Sequence, residues 1–421
     1  MKTILSLGAI ALVSPFATAG DIPQIVWDTP AETVKAVEAS APVETAPIKL
    51  VISADAIYTA AGDMIDGGTI AIAGSTIAAV TPGGKGSEGG LHVAAITPGF
   101  VELSPRINLA DLSVEESGEI MPTMRANLGV DLYDKRWERL LNSGTTTVLI
   151  SPAAEDVVGG LTSVLKTGGE PTVEAREILA DATLAGSFGS HASRGNHAVY
   201  GRPTDHFVRR PTTRMGTEWS HRKAFYDTLA AMGSVERQFE GWDIMGSVLK
   251  GERAYIVQAS ATQDIRTAIY LKEEFGIPNM VVDAAAEVWR EPGLVARSGM
   301  AVILPPFAAQ GRTAIDNGFL AWNTAKLLGE LGVPFALSSH GSASLNGRLS
   351  MQAGYAIRGG LSFEQALAAV TITPARLAGV DSRVGSIEVG KDADLVLWSG
   401  KPFAATSRVV GVILNGELVT K

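Results

Sequence analysis

Histidine is scarce in this chain, six in 421 residues, so one that closes an apolar run is a candidate for chemistry. His340 does so in Leu337-Ser338-Ser339-His340, directly behind the strand-like run Phe335–Leu337. An imidazole changes charge near neutral pH and can serve as a general base. The alternative is a hydrogen-bonded structural histidine in a polar loop. Lys166 ends a second apolar run, Val164-Leu165-Lys166, and leads into the turn Thr167-Gly168-Gly169. A cation there stabilises a carboxylate or an oxyanion, or sits solvated in a loop. The third concentration is Ser190 to Lys223, which carries Arg194, Arg202, Arg209, Arg210, Arg214, Arg222 and Lys223 against Asp205 and Glu218. As a loop over a binding site it would grip carboxylates with arginine forks; otherwise its charges form internal salt bridges or a subunit contact. The same stretch holds His191, His197, His206 and His221, without the H-x-x-x-H or H-E-x-x-H spacing of a helical zinc site.

The elements that must position these groups follow from period and punctuation. Leu50–Ile52, Thr69–Ala73 and Thr76–Val80 are short β-prone runs near the start, separated by glycine turns. Ala393–Trp398, Val409–Leu414 and Glu417–Val419 repeat that texture at the end, with Asn415-Gly416 as a hairpin turn. Between them, strands alternate with helices. Asp131–Asn142 reads as a helix stopped by Gly144, and Thr145–Ile150 as a strand. Tyr255–Ala259 is a strand before a helix capped by Asp264 and ended at Gly276; Met280–Val282, Ala301–Leu304 and Phe335–Leu337 are further strands. Pro211–Gly216 reads as a fixed turn before a helix carrying Arg222–Leu229, with Arg214 near its start. Ser362-Phe363-Glu364-Gln365 is a capping box opening a helix through Val370. This alternation predicts an α/β fold: a closed (β/α)8 TIM-type barrel over 98–379, with a small β-sandwich domain assembled from 48–97 and 380–421. No glycine-rich dinucleotide fingerprint follows an early strand. In such a barrel chemistry sits just beyond strand ends, here after Val101, Ile150, Leu165, Val257, Val282, Leu304 and Leu337.

Bulk properties narrow the partners. The net charge of −9 argues against generic nucleic-acid or anionic-membrane binding and leaves a small molecule as the expected ligand. Lys2, the apolar Ile4–Val13, Pro15 and Ala17-Thr18-Ala19 form a secretory signal over 1–19 cut near Ala19. The expected location is therefore periplasmic or secreted, without membrane insertion. Residues 20–47, rich in Ala, Pro, Glu and Thr, read as an extended arm or linker. The absence of cysteine excludes disulfides and a lipid-modified N-terminal Cys.

Several ordered motifs carry a family resemblance. Ile96-Thr97-Pro98-Gly99-Phe100-Val101-Glu102, Ser143-Gly144-Thr145-Thr146-Thr147-Val148, and above all Gly379 to Val396 resemble members of the amidohydrolase superfamily similar to imidazolonepropionase. The resemblance spans about residues 48–421 and is tightest at both ends. It implies metal-assisted hydrolysis, in which a divalent ion such as zinc lowers the pKa of bound water and an Asp on the last strand moves the proton. It also implies an H-x-H on strand one, histidines on strands five and six, and that Asp. At those positions the chain has Ser104-Pro105-Arg106, Gln258-Ala259-Ser260, the His-free Val281–Ala285, and His340. A guanidinium has no lone pair to donate and repels a cation, so the resemblance implies a degenerate metal site and no assignable cofactor. Two functions follow. One is a hydrolase of carbon–nitrogen, non-peptide bonds with His340 as base in place of the Asp, Lys166 and Arg106 stabilising the anion, and Arg209, Arg210 and Arg214 with Arg106 binding an anionic substrate. The other is an inactive barrel that binds a small ligand or pairs, as an oligomer, with an active homologue.

Overall fold

The computed structural model describes residues 47–83, 90–107, 115, 117–190, 192, 210–307, 320–341 and 348–420. The signal segment, the arm up to residue 46, and His191, Arg194, His197, Arg202, Asp205, His206 and Arg209 lie outside the described residues.

Seventeen strands are formed among the described residues. The chain opens with β1 (Ile48–Ile57), β2 (Ile65–Ala73), β3 (Thr76–Pro82) and β4 (Leu91–Pro98). After Gly99 come β5 (Phe100–Glu102), β6 (Thr145–Ile150), β7 (Val158–Leu161), β8 (Ser163–Lys166) and β9 (Glu177–Leu179). A parallel series follows: β10 (Thr183–Ser187), β11 (Ala254–Gln258), β12 (Met280–Asp283), β13 (Ala301–Leu304) and β14 (Phe335–Leu337). The chain returns through β15 (Leu395–Trp398), β16 (Val409–Leu414) and β17 (Glu417–Thr420).

The two ends of the chain share one sheet, in the order β17-β16-β15-β4-β1-β2-β3. The expected sandwich is thus a single seven-stranded ladder rather than two facing sheets. Strand β2 alternates buried and partly exposed residues, as one covered face requires. Ile52, Ile70, Ile77, Ile96, Leu397 and Ile413 all meet in one core, so the ladder curls around it. Its far ends touch. The Ile77 amide donates to the Lys391 carbonyl at 2.9 Å and the Ala393 amide to the Ser75 carbonyl at 2.8 Å. Gly416 has φ +78, and a Cβ there would come within 2.3 Å of the Gly74 carbonyl oxygen, so only glycine fits this turn.

The central strands form two ladders, β14-β13-β12-β11-β10-β7 and β5-β6-β8-β9. From β10 to β14 all pairs are parallel and nearly every residue is buried, because helices cover the outer side. The expected ring of eight parallel strands is not formed as one continuous ladder. Strand β8 runs antiparallel to β6, and β7 antiparallel to β10. Between β7 and β8 the Thr162 amide donates to Thr183, so the segment Val158–Lys166 serves both ladders. On the other side, the Leu337 amide donates to Ala369 and the Val101 amide to Val370, which links β14 to β5 through one turn of chain.

Helices are α1 (Lys135–Asn142), α2 (Val173–Arg176), α3 (Arg214–Gly233), α4 (Trp242–Leu249) and α5 (Thr262–Phe275). Then follow α6 (Pro292–Ser298), α7 (Thr324–Glu330), α8 (Leu349–Arg358), α9 (Phe363–Ala368) and α10 (Ile372–Leu377). Helix α1 begins later than the apolar pattern suggests because the Asp134 side chain caps it by accepting from the Arg136 amide. The capping box at Ser362 and Gln365 is formed. Asp264 is not the cap of α5; it lies in the first turn, where Arg214 claims its carboxylate at 2.9 Å. No helix among the described residues is long and apolar enough to cross a membrane.

Candidate functional site

A cavity of about 320 Å³ opens where the parallel strands end. Its polar wall is built by Ser104 and Arg106 after β5, Gln258 ending β11 and Asp283 ending β12. Arg136 and Glu155 add charge; Ile107, Ile150 and Ile256 supply apolar surface.

Asp283 is the hub. One carboxylate oxygen accepts from the Ala284 amide at 2.7 Å and from His340 Nε2 at 2.9 Å; the other accepts from Ser104 Oγ at 3.1 Å. Burial pushes this carboxyl up, but His340, the nearby Arg106 cation and the Ala284 amide together outweigh it, holding Asp283 below the usual carboxylate range. An ionised carboxylate only accepts, so His340 Nε2 carries the proton between them. His340 itself does not line the cavity; it stands behind Asp283.

Behind that layer lies Glu102, fully buried. It accepts from the Ser104 amide at 3.0 Å, Ser338 Oγ at 2.7 Å and the Ser339 amide at 2.7 Å. The last residue of β5 therefore fixes the chain beyond β14, where His340 begins its turn. Arg106 Nη2 donates to Gln258 Oε1 at 3.0 Å, joining two positions that sequence reading had treated separately.

Backbone strain gathers here. Arg106, Ala284 and His340 have φ of +46, +57 and +45, a left-handed conformation unfavourable for residues with a Cβ. Each such residue costs on the order of 1–3 kcal/mol and persists where surrounding structure compels it. All three stand one to four residues beyond the ends of strands β5, β12 and β14, around Asp283.

Other expected site residues lie elsewhere. Lys166 is not at the cavity. Because β8 runs antiparallel to β6, its end faces away, and the buried ammonium pairs with Asp394 and with Asp392 at 2.8 Å. Arg214 is tied to Asp264, and Arg210 is exposed outside the cavity; Arg209 is outside the described residues. Ser260 is buried, its carbonyl accepting from the Glu287 amide at 3.1 Å, and it does not line the cavity. Arg222 and Lys223 make ion pairs with Glu274 and Asp227 on the molecule's own surface. His221 is a core residue. It stacks on Phe188 at 4.0 Å, meets the Ser187 carbonyl at 2.9 Å, and burial lowers its pKa to about 4.

Sequence reading passed over Asp283 and Glu102. Asp283 closes the apolar Val281-Val282-Asp283, and Glu102 ends the Pro98–Glu102 motif. A carboxylate ending an apolar strand was the available signal in both.

The Amidohydrolase family profile matches residues 320–419. Among curated proteins, the amidohydrolase tasK of Hapsidospora irregularis is 25% identical over 338 residues, covering 74% of this chain and 34% of that protein. The imidazolonepropionase of Syntrophobacter fumaroxidans is 37% identical over 91 residues, 21% of this chain and 22% of its own length. The chain thus spans about a third or less of these curated relatives. A solved amidohydrolase from Thermotoga maritima superposes with a TM-score of 0.76 at 27% identity, covering 89% of this chain and 100% of that one. Together these matches support membership of the amidohydrolase superfamily. Asp283 closes β12, His340 follows β14, and the two are bonded to each other. No group of three or more His, Cys, Asp or Glu side chains among the described residues is arranged to hold a metal ion.

Proposed function

We propose that this chain is a superfamily hydrolase acting on a carbon–nitrogen, non-peptide bond of a small substrate that carries a carboxylate, and that it works without the superfamily's metal centre. The observation carrying the reading is Asp283, ionised at the cavity wall and bonded to both His340 and Ser104. In this reading water attacks the substrate carbonyl carbon, and its proton passes to the Asp283 carboxylate and on to the leaving nitrogen. His340 holds Asp283 in position, and Arg106 offers donors to the developing oxyanion or a substrate carboxylate. A divalent ion does not fit the residues present. Ser104 and Arg106 occupy the H-x-H positions, Arg106 brings a positive charge, and its Nη2 is bonded to Gln258.

The closed barrel with an appended β-domain belongs to the same reading. What supports it is that the Thr162 amide bonds the Thr183 carbonyl on one side, while on the other Leu337 and Val101 bond the adjacent residues Ala369 and Val370. Export after cleavage near Ala19 is proposed as well, and the N-terminal mass of the protein recovered from an expressing cell checks it.

The Arg106–Gln258 bond also favours a second reading, a silent barrel that binds a small ligand or pairs with an active homologue. Metal analysis and turnover separate the two. Purified protein is expected to hold no stoichiometric zinc, manganese or iron and to hydrolyse one member of an N-acyl and lactam panel, with the rate falling at least about 100-fold in Asp283→Asn. Tightly held metal at one ion per chain would sink the metal-free reading. Absence of turnover across the panel would leave the binding barrel.

A further inference from the structure

Most charges around the cavity are already committed. Asp283 accepts from three donors, and so does Glu102 behind it. Arg136 spends its guanidinium on Asp134, at 2.7 Å, and on the Arg106 carbonyl. Two ionic groups of the wall remain. Arg106 uses one of its five donors on Gln258, a neutral acceptor, and has no carboxylate in ion-pair contact among the described residues. Glu155 lines the cavity, is exposed, and has no hydrogen-bond or ion-pair partner among the described residues.

The cation is built in rather than incidental. Gln258 fixes one arm of the guanidinium, and the left-handed backbone at +46 sets the direction in which the side chain leaves. A Cβ on Gly341 would come within 2.8 Å of the Arg106 Cβ, so the chain beyond His340 closes directly on this residue. Strain of this kind persists only where the surroundings enforce one orientation.

We infer that the cavity recognises a small zwitterion with an apolar body, its carboxylate gripped by Arg106 and its ammonium met by Glu155. This inference deepens the proposed function and rests on the same site. A ligand with only a carboxylate satisfies Arg106 and leaves a second negative charge facing Glu155. Like charges repel more strongly beside walls such as Ile150 and Ile256 than in bulk water. A ligand with only an ammonium leaves the Arg106 donors dry. The zwitterion answers both, and the apolar side chains Ile150 and Ile256 lining the same cavity take its hydrocarbon.

Isothermal titration with leucine, N-acetyl-leucine and leucinamide tests this on the full chain. Leucine is expected to bind about tenfold tighter than either singly charged analogue. Arg106→Gln is expected to weaken leucine and N-acetyl-leucine about tenfold while sparing leucinamide; Glu155→Gln is expected to weaken leucine and leucinamide while sparing N-acetyl-leucine. Glu155 is exposed, so its variant does not threaten the fold, and a thermal melt verifies that Arg106→Gln is folded. N-acetyl-leucine binding as tightly as leucine, an unaffected Glu155→Gln, or no binding of any of the three overturns the inference. Zwitterion-selective binding without turnover of the N-acyl and lactam panel removes the hydrolase and keeps the inference. Turnover of an uncharged lactam without leucine selectivity does the reverse.

Discussion

Two clusters of buried charge sit at opposite ends of the central strands, and they differ in what is left over. At one end, Lys166 is enclosed by Asp392 and Asp394, with Arg383 adding a second cation to Asp392 at 2.9 Å. Asp394 also accepts from the Asn415 amide at 2.9 Å, so this cluster clips the returning chain to β8. Its backbone is unstrained at those residues, and the cavity described above does not reach it. At the other end, Asp283, His340, Ser104 and Arg106 line or back a cavity on left-handed backbone, with guanidinium donors unspent. A buried ion that is fully paired reports on assembly. One held under strain with unused valence reports on a ligand.

Four measurements test the difference between the two ends. Lys166→Met leaves two buried carboxylates facing one another and is expected to cost about 3–5 kcal/mol in urea denaturation, while ligand binding by the folded fraction is unchanged. A stable Lys166→Met with impaired binding would erase the distinction between the two ends.

Next in size is a pH effect from His221. Its pKa falls from 6.5 in the unfolded chain to about 4 in the folded one. A lowered folded pKa means the neutral form is favoured by folding, so its contribution is fully present above pH 6.5 and is lost as pH falls toward 4. The loss amounts to roughly 3 kcal/mol at about 1.4 kcal/mol per unit. Denaturation midpoints compared with His221→Gln across that window check it; equal pH slopes would show that His221 is not the group involved.

Glu102→Gln replaces an acceptor with an amide that cannot serve all three donors, at an expected cost of about 1–3 kcal/mol. Because Glu102 is tied to Ser104 and to Ser338 ahead of His340, binding should weaken as well, which a purely structural carboxylate would not produce.

The smallest effect on stability is at Arg106. Arg106→Gly relieves a left-handed residue and is expected to change stability by no more than about 1 kcal/mol, upward if strain outweighs the lost Gln258 bond, while abolishing carboxylate binding. A large destabilisation would make Arg106 another Lys166.

How much of this was legible beforehand depends on whether a signal was local. Thr145–Ile150, Ala301–Leu304, Phe335–Leu337 and Val409–Leu414 are all found at their expected bounds, because unbroken apolar runs between turn residues leave little choice. Strand direction is not local. Nothing in Val164-Leu165-Lys166 reveals that β8 runs against β6, and the Lys166 expectation failed on that point alone. Arg214 failed for a similar reason: its partner Asp264 is 50 residues away, on another helix. The cavity itself was half read. Ser104, Arg106, Gln258 and His340 were selected through the family's ligand positions, and the structure joins them through Asp283 and Glu102, whose importance lies only in contacts made across the fold.

The curled sheet carries one more consequence, for the order of events during synthesis. Strand β4 finds its neighbour β15 only after nearly three hundred intervening residues have been made, and the Gly74 turn is closed by Gly416 later still. A ribosome working from the first residue onward therefore releases β1 to β4 with an open edge and a bare apolar face. That face stays uncovered until the final hairpin emerges, so the nascent chain must remain guarded, or unfolded, for almost its entire translation.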